Sequence, residues 1–247
     1  MKMIKSKKEI ELIKDSGKIV SEVLKTLALN VKEGITPIEI DTLCKAIIEK
    51  HNSISACLNY YGFPSNICIS VNDIAIHGIP NKIPFKNGDL VKLDLVVKKN
   101  GYMADSAITV GVGNLTEKAK NLKEVTEKAL YSTIYEVKPN ISIKDMVKPI
   151  KQITSKHGYG IIKEYCGHGI GSEMHEEPYI VHDPDYAIDF ILKPGMVICI
   201  EPMITEGSPK VKVLDDGWSV STLDGGLSAH FEHTVLVTDN GYEVLTL

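Results

Sequence analysis

The chain carries one pattern twice. Val31-Lys32-Glu33-Gly34-Ile35-Thr36 returns as Val137-Lys138-Pro139-Asn140-Ile141-Ser142. Gly34 and Asn140 both tolerate the left-handed backbone, and Thr36 and Ser142 are both good helix N-caps. Further on, Gly88 stands six residues before Asp94 and Gly195 six before Glu201, so the offset between copies stays at 106–107 residues. Two matches at nearly one offset point to an internal duplication, and the surrounding pattern says of what.

Ile10, Ile13, Gly17, Val20, Leu24 and Leu27 recur at three- and four-residue steps, predicting a helix over 6–28. Thr36-Pro37-Ile38-Glu39 is a capping box with proline at the first helical position, opening a second helix to about His51. Residues 67–71 and 74–76 are short strands, and Asp89–Val97 and Tyr102–Val112 form a hairpin across Lys99-Asn100-Gly101. The order then repeats. Thr116 opens a helix to about Val137, Ser142 caps another ending at His157-Gly158, and apolar runs follow at 196–204 and 231–237. The expected class is α+β. Two pseudo-symmetric α-α-β-β halves, about 6–112 and 116–240, are expected to pack as one domain over 1–247.

Both halves place an acid where a buried strand should have none. Leu90-Val91-Lys92-Leu93-Asp94-Leu95-Val96-Val97 and Val197-Ile198-Cys199-Ile200-Glu201-Pro202-Met203-Ile204 each carry a central carboxylate. Such a group is costly to bury unless it is paired or holds a metal. A hairpin turn between Lys99 and Asn100 sets Asp94 opposite Asp105, and a turn on Asn100-Gly101 shifts the pairing by two. Either way the two acids are cross-strand neighbours on one face, and two carboxylates that close must share a proton or a metal. Glu232 takes the equivalent place in the second half, and His168, between Gly167 and Gly169, is the expected nitrogen ligand. Four carboxylates and one imidazole suit manganese, iron or cobalt better than a structural zinc. A metal pair about 3.5–4 Å apart lowers the pKa of water and clamps an attacked group, so the expected class is hydrolysis of an amide or phosphate ester.

The formal charge of −4 argues against nucleic acid as the main ligand. The first helix begins with Lys2, Lys5, Lys7 and Lys8, a solvated face or a functional surface. Cys44, Cys57, Cys68, Cys166 and Cys199 are odd in number and contain no CxxC, which suggests neither a disulfide framework nor a zinc knuckle. The first thirty residues hold no signal-type apolar run and no stretch is long enough to span a membrane, so the expected compartment is the cytoplasm.

The stretches Ile69–Asp73 through His77-Gly78-Ile79-Pro80, Gly88–Gly111, Gly167–Pro178, Lys193–Met203 and Ser228–Thr234 resemble the type I methionine aminopeptidases of the pita-bread fold family. The resemblance covers essentially the whole chain. It implies removal of initiator methionine from nascent polypeptide N-termini with a small second residue, by a metal-bridging hydroxide. It implies Asp94, Asp105, His168, Glu201 and Glu232 as ligands of two divalent ions (cobalt, manganese, iron, zinc or nickel), with Asp105 and Glu232 bridging. Glu201 would also transfer protons, and His77 and His175 would contact substrate and stabilise the tetrahedral intermediate. Cys57, Tyr60, Phe63, Cys68, Met174 and Trp218 would line the methionine pocket. A sodium or potassium ion would sit near Asn72, Ile74 and Ser228. The compact bacterial form and a monomer are further implications.

Four positions depart from the family pattern: Met174 for an aromatic, Phe63 for tyrosine, Cys199 for threonine and His230 for glutamine. His230 lies two residues from Glu232, on its face if the strand is regular, and is expected to support the ligands rather than join them. The rival readings are a proline-specific aminopeptidase or dipeptidase of the same fold, and a binding module that has lost catalysis.

Overall fold

The computed structural model describes residues 3–247, so Lys2 lies outside the described residues. Among the described residues the α-helices are α1 (Lys7–Asn30), α2 (Pro37–Lys50), α3 (Glu117–Ile134), α4 (Ile143–Met146) and α5 (Lys148–Thr154). The first-half strands are β1 (Ile54–Ser55), β2 (Cys68–Val71), β3 (Ile74–Ile76), β4 (Leu90–Lys99) and β5 (Tyr102–Gly111). The second half adds β6 (Gly160–Ile161), β7 (Gly167–Gly169), β8 (Glu176–Ile180), β9 (Val197–Ile200), β10 (Met203–Thr205), β11 (Val211–Val213), β12 (Val220–Thr222), β13 (Ser228–His230), β14 (Glu232–Val237) and β15 (Tyr242–Val244). None of the helices is long and apolar enough to cross a membrane.

The helix signals act as read. Ser6 and Thr36 each close a reciprocal capping box with Glu9 and Glu39, and Ser142 accepts from Asp145 N. The stripe on α1 is buried at Ile13, Gly17, Val20, Leu24 and Leu27. Gly17 is required by contact: a Cβ there would lie 2.1 Å from Leu245 O, where the helix crosses the chain's last segment. The continuous helix expected from Ser142 to His157 is instead split at Val147 into α4 and α5, with a 3-10 turn at Ser155–His157. Pro149 has no N–H for Asp145 O, so the helix restarts with the proline in its first turn.

The repeated motifs share backbone bonds as well as letters. Gly34 and Asn140 adopt φ 87° and 67°, and Gly88 and Gly195 adopt 95° and 84°. Gly34 N donates to Phe85 O and Phe85 N to Ile35 O; Asn140 N donates to Leu192 O and Leu192 N to Ile141 O. The main sheet runs β1-β4-β5-β14-β9-β7-β8, with β2 also paired to β4 and β15 to β14. From the centre outward, β5, β4 and β2 of one half answer β14, β9 and β7 of the other. Two apolar cores flank this sheet. One gathers α1 and α2 through Leu24, Leu27, Ile40 and Ile48, the other α3 to α5 through Leu122, Leu130, Ile143 and Ile150.

Candidate metal centre

The hairpin register decides where the acids meet. Asn100 and Gly101, at φ 50° and 86°, form the two-residue turn, so Lys99 pairs with Tyr102 and Asp94 with Ala107. Asp105 pairs with Val96, one step diagonal from Asp94, as the second of the two turn placements requires. Ala107 also pairs with Glu232 across the β5–β14 seam. Three carboxylates therefore stand on one sheet face around a single methyl group. Glu201 enters from the end of β9, where Pro202 ends the ladder, and His168 from β7.

These five residues line one cavity of about 120 Å³. His168 Nε2 is 3.4 Å from Glu201 Oε1 and 3.9 Å from Asp105 Oδ2. His168 Nδ1 is 2.9 Å from Gly169 O, the geometry of a proton on Nδ1, which leaves the Nε2 lone pair facing the carboxylates. Burial holds this imidazole neutral, pushed down to about 3. Burial raises Asp94 to about 7, and burial followed by neighbouring carboxylates raises Asp105, Glu201 and Glu232 well above the usual range. Asp105 Oδ1 and Glu232 Oε1 are buried without a hydrogen-bond partner. Lone pairs converge here with no protein cation between them, and the donor set fits divalent metal.

Cys199 Sγ falls within the same group: its ligand atom and those of Asp105, His168 and Glu232 lie within 4.8 Å of one another. Burial and then the carboxylates push its thiol well above the ordinary range, so it stands protonated, 3.6 Å from Thr234 Oγ1.

The remaining wall of the cavity is apolar. Cys57, Tyr60, Phe63, Cys68, Met174 and Trp218 all line it, joined by Val96, which the sequence reading did not name. Phe63 meets Trp218 edge-on at 5.2 Å, so the lone tryptophan is cavity wall rather than plain core. His77 and His175 stand at the junction between the carboxylates and this slot. Tyr60 OH lies 2.7 Å from His175 Nδ1, and the rings of His175 and His168 are 4.4 Å apart. His77 has φ 56° and sits edge-on to Tyr165.

Asn72 and Ser228 are joined, Ser228 N and Oγ both reaching Asn72 O, at 3.1 and 3.0 Å. Ile74 lies two residues on, paired with Ser221. His230 ends β13, and the chain breaks at Phe231 before β14, so the regular strand assumed for it is interrupted. Its Nε2 nevertheless faces Glu201 Oε2 at 3.9 Å, and neither ring nitrogen has a hydrogen-bond partner.

Sequence reasoning missed His182, which is fully buried and accepts the Glu201 N–H at 3.0 Å. Lys5 is a correction. It is buried against Glu176 in an ion pair that ties the N-terminal segment to the strand after His175, so only Lys7 and Lys8 of the described lysines there are exposed. The five cysteines are all free.

The sequence profile of metallopeptidase family M24 matches residues 11–239. The methionine aminopeptidase of Buchnera aphidicola subsp. Schizaphis graminum is 43% identical over 99% of this chain and 94% of that protein. The crystal structure of methionine aminopeptidase from Rickettsia prowazekii superposes with a TM-score of 0.96 at 38% identity, covering 100% of both chains. The prolidase from Pyrococcus furiosus gives 0.80 at 26% identity, over 99% of this chain but 65% of that one. By profile, sequence and fold, the chain belongs to metallopeptidase family M24, with the methionine aminopeptidases.

Proposed function

We propose that this chain removes the N-terminal methionine from nascent proteins and peptides whose second residue is small. The observation that carries the reading is one cavity in which a buried cluster of four carboxyls and an imidazole opens onto a sulfur- and ring-lined slot. Asp94, Asp105, His168, Glu201 and Glu232 would hold two divalent ions (manganese, iron, cobalt, zinc or nickel). When bound, such ions lower the pKa of water and polarise the scissile carbonyl.

The protein's own groups divide the rest of the work. Glu201 takes the proton of the attacking water and returns it to the leaving amine. A Tyr60 OH donating to His175 Nδ1, 2.7 Å away, would put the ring proton on Nε2 and make that nitrogen a donor to the oxygen where charge develops. Burial keeps the Tyr60 phenol protonated for this role and keeps His77 neutral, lowered to about 4. Phe63, Trp218 and Met174 offer the ring and thioether surface that a methionine side chain favours. His77 orients the peptide beside it.

The test is methionine release from Met-Ala-Ser by metal-restored protein, with Ala-Pro as the control. Release from the first and none from the second is expected; cleavage of Ala-Pro alone would move the chain to proline-specific peptidases. Action on nascent chains places the work in the cytoplasm, by a monomer near the ribosome exit. Changing Lys7 and Lys8 to glutamate is expected to lower ribosome co-sedimentation, and unchanged co-sedimentation would remove that docking face.

A further inference from the structure

Lys92 is the bulkiest of the fully buried side chains among the described residues, 1% exposed in the middle of β4 and two residues from Asp94. An ammonium is costly there unless its surroundings replace water. Its Nζ donates to Asn72 O at 2.7 Å. Asn72 stands in the turn between β2 and β3 at φ 54°, a left-handed conformation that directs this carbonyl inward. The turn is braced: Asn72 Nδ2 donates to Asp89 Oδ1, and Asn72 Oδ1 accepts from Leu90 N, both at 2.9 Å. Asp73 and Asp89 are the charges that oppose the cost burial puts on the ammonium. Asp73 in turn accepts from Ser221 Oγ at 2.8 Å.

A backbone carbonyl, a serine hydroxyl and two nearby carboxylates form an oxygen-rich setting of the kind that replaces the hydration shell of an alkali ion. Here Asn72 O already takes Lys92 Nζ, Ser228 N and Ser228 Oγ. A carbonyl oxygen has two lone pairs, so three donors leave none for an ion.

We propose that the Lys92 ammonium occupies the position a monovalent metal ion would take at Asn72 and Ser228, so that this chain carries its own tethered cation and uses neither sodium nor potassium there. The tether joins β4 to the β2–β3 turn and to β13. The first of these leads into His77 and the second into Glu232, so one side chain braces both approaches to the cavity. This inference stands apart from the peptidase reading, because its test reads the stability of metal-stripped protein.

Wild type and a Lys92→Gln variant, which keeps a donor and removes the charge, are melted at about pH 6, below the value of about 7 to which burial lowers Lys92, in sodium, potassium and choline chloride at one ionic strength. Wild type is expected to melt at the same temperature in all three. The variant is expected to melt lower in choline and to regain about 2–4 °C, with saturation, as sodium or potassium is raised. A saturable rise in wild type overturns the proposal, and so does a variant indifferent to both ions. Should the variant not fold, sodium NMR of the wild type decides. A linewidth unchanged by potassium supports the tethered cation, and excess broadening that potassium relieves overturns it.

Discussion

The two halves deliver their acids by different means. In the first half, Asp94 and Asp105 ride on a hairpin of ten residue pairs closed by a two-residue turn. In the second, Glu201 follows the last residue of β9 and Glu232 is the first residue of β14, each beside a break in its strand. Short side chains go with the regular ladder, and side chains one methylene longer go with the broken one. The second half makes up for its irregularity with side-chain bonds. Thr234 Oγ1 accepts from Asp105 N and donates to Asp105 O, Thr109 Oγ1 donates to His230 O and accepts from His230 N, and Ser106 Oγ donates to Glu232 O. Only two residue pairs of regular ladder cross this seam, Glu232 with Ala107 and His233 with Ser106. A repeated fold can thus place four equivalent carboxyls with a precise backbone on one side and a stitched one on the other.

Asp105 and Glu232, one on each side of the seam, give the largest expected effects. Asp105→Asn and Glu232→Gln should each lower methionine release more than the roughly 10–100-fold seen for groups that only support a ligand. Without metal the same variants should melt higher than wild type at neutral pH, because an amide escapes the cost of holding a buried acid protonated. If only the first-half change is severe, the halves are not equivalent.

Support of the broken strand comes next. His182→Ala should lower kcat by roughly 10–100-fold with KM nearly unchanged, because Glu201 loses its backbone anchor while the slot stays intact. A matching rise in KM would instead mark a general loosening of the cavity. Thr234→Val should cost about 1–3 kcal/mol in denaturant unfolding and weaken metal binding. Asn100→Ala, in the hairpin turn, should cost only about 1–2 kcal/mol for the left-handed backbone and leave metal binding unchanged. Equal effects on metal affinity would erase the distinction between the halves.

The smallest expected effect is a pH slope. His77, His168, His182 and His230 are lowered by burial to between about 3 and 4, so their contribution is lost only as pH falls from the unfolded value through that range. Above about pH 6.5 they are neutral in both states and add no slope. The carboxyls run the other way. Raised in the fold, they favour the folded state below about pH 4 and lose that advantage as pH rises through their raised values, which for Asp94 is about 7. Lys92, lowered to about 7 by burial, runs the opposite way, and only above that pH. Between about pH 6.5 and 7, where the histidines are silent and Lys92 is still charged in both states, metal-stripped protein should therefore lose thermal stability as pH rises, and divalent metal should abolish the loss. A flat profile without metal would mean that the carboxyls are already ionised there.

Much of this was legible because local chemistry decided it. Gly34 and Asn140 announced left-handed turns, Thr36 and Ser142 announced helix starts, and carboxylates inside apolar runs announced a centre. The register needed the turn itself: the sequence allowed two placements, and Asn100-Gly101 has the residues that a tight two-residue turn demands. Pro149 broke a helix that its apolar spacing alone would continue. Lys5, Lys92 and His182 were illegible for a different reason. Each is a polar group made tolerable by a partner distant in sequence, Glu176, Asn72 O and Glu201 N, and one sequence does not pair such residues.

The most direct test of the shared centre is a metal titration of stripped protein that follows ions bound and methionine released from Met-Ala-Ser on the same samples. Two divalent ions per chain, with release rising as they bind, is the result expected of four carboxyls and His168 acting together. Full release from rigorously metal-free protein, or two bound ions with no release, would contradict it.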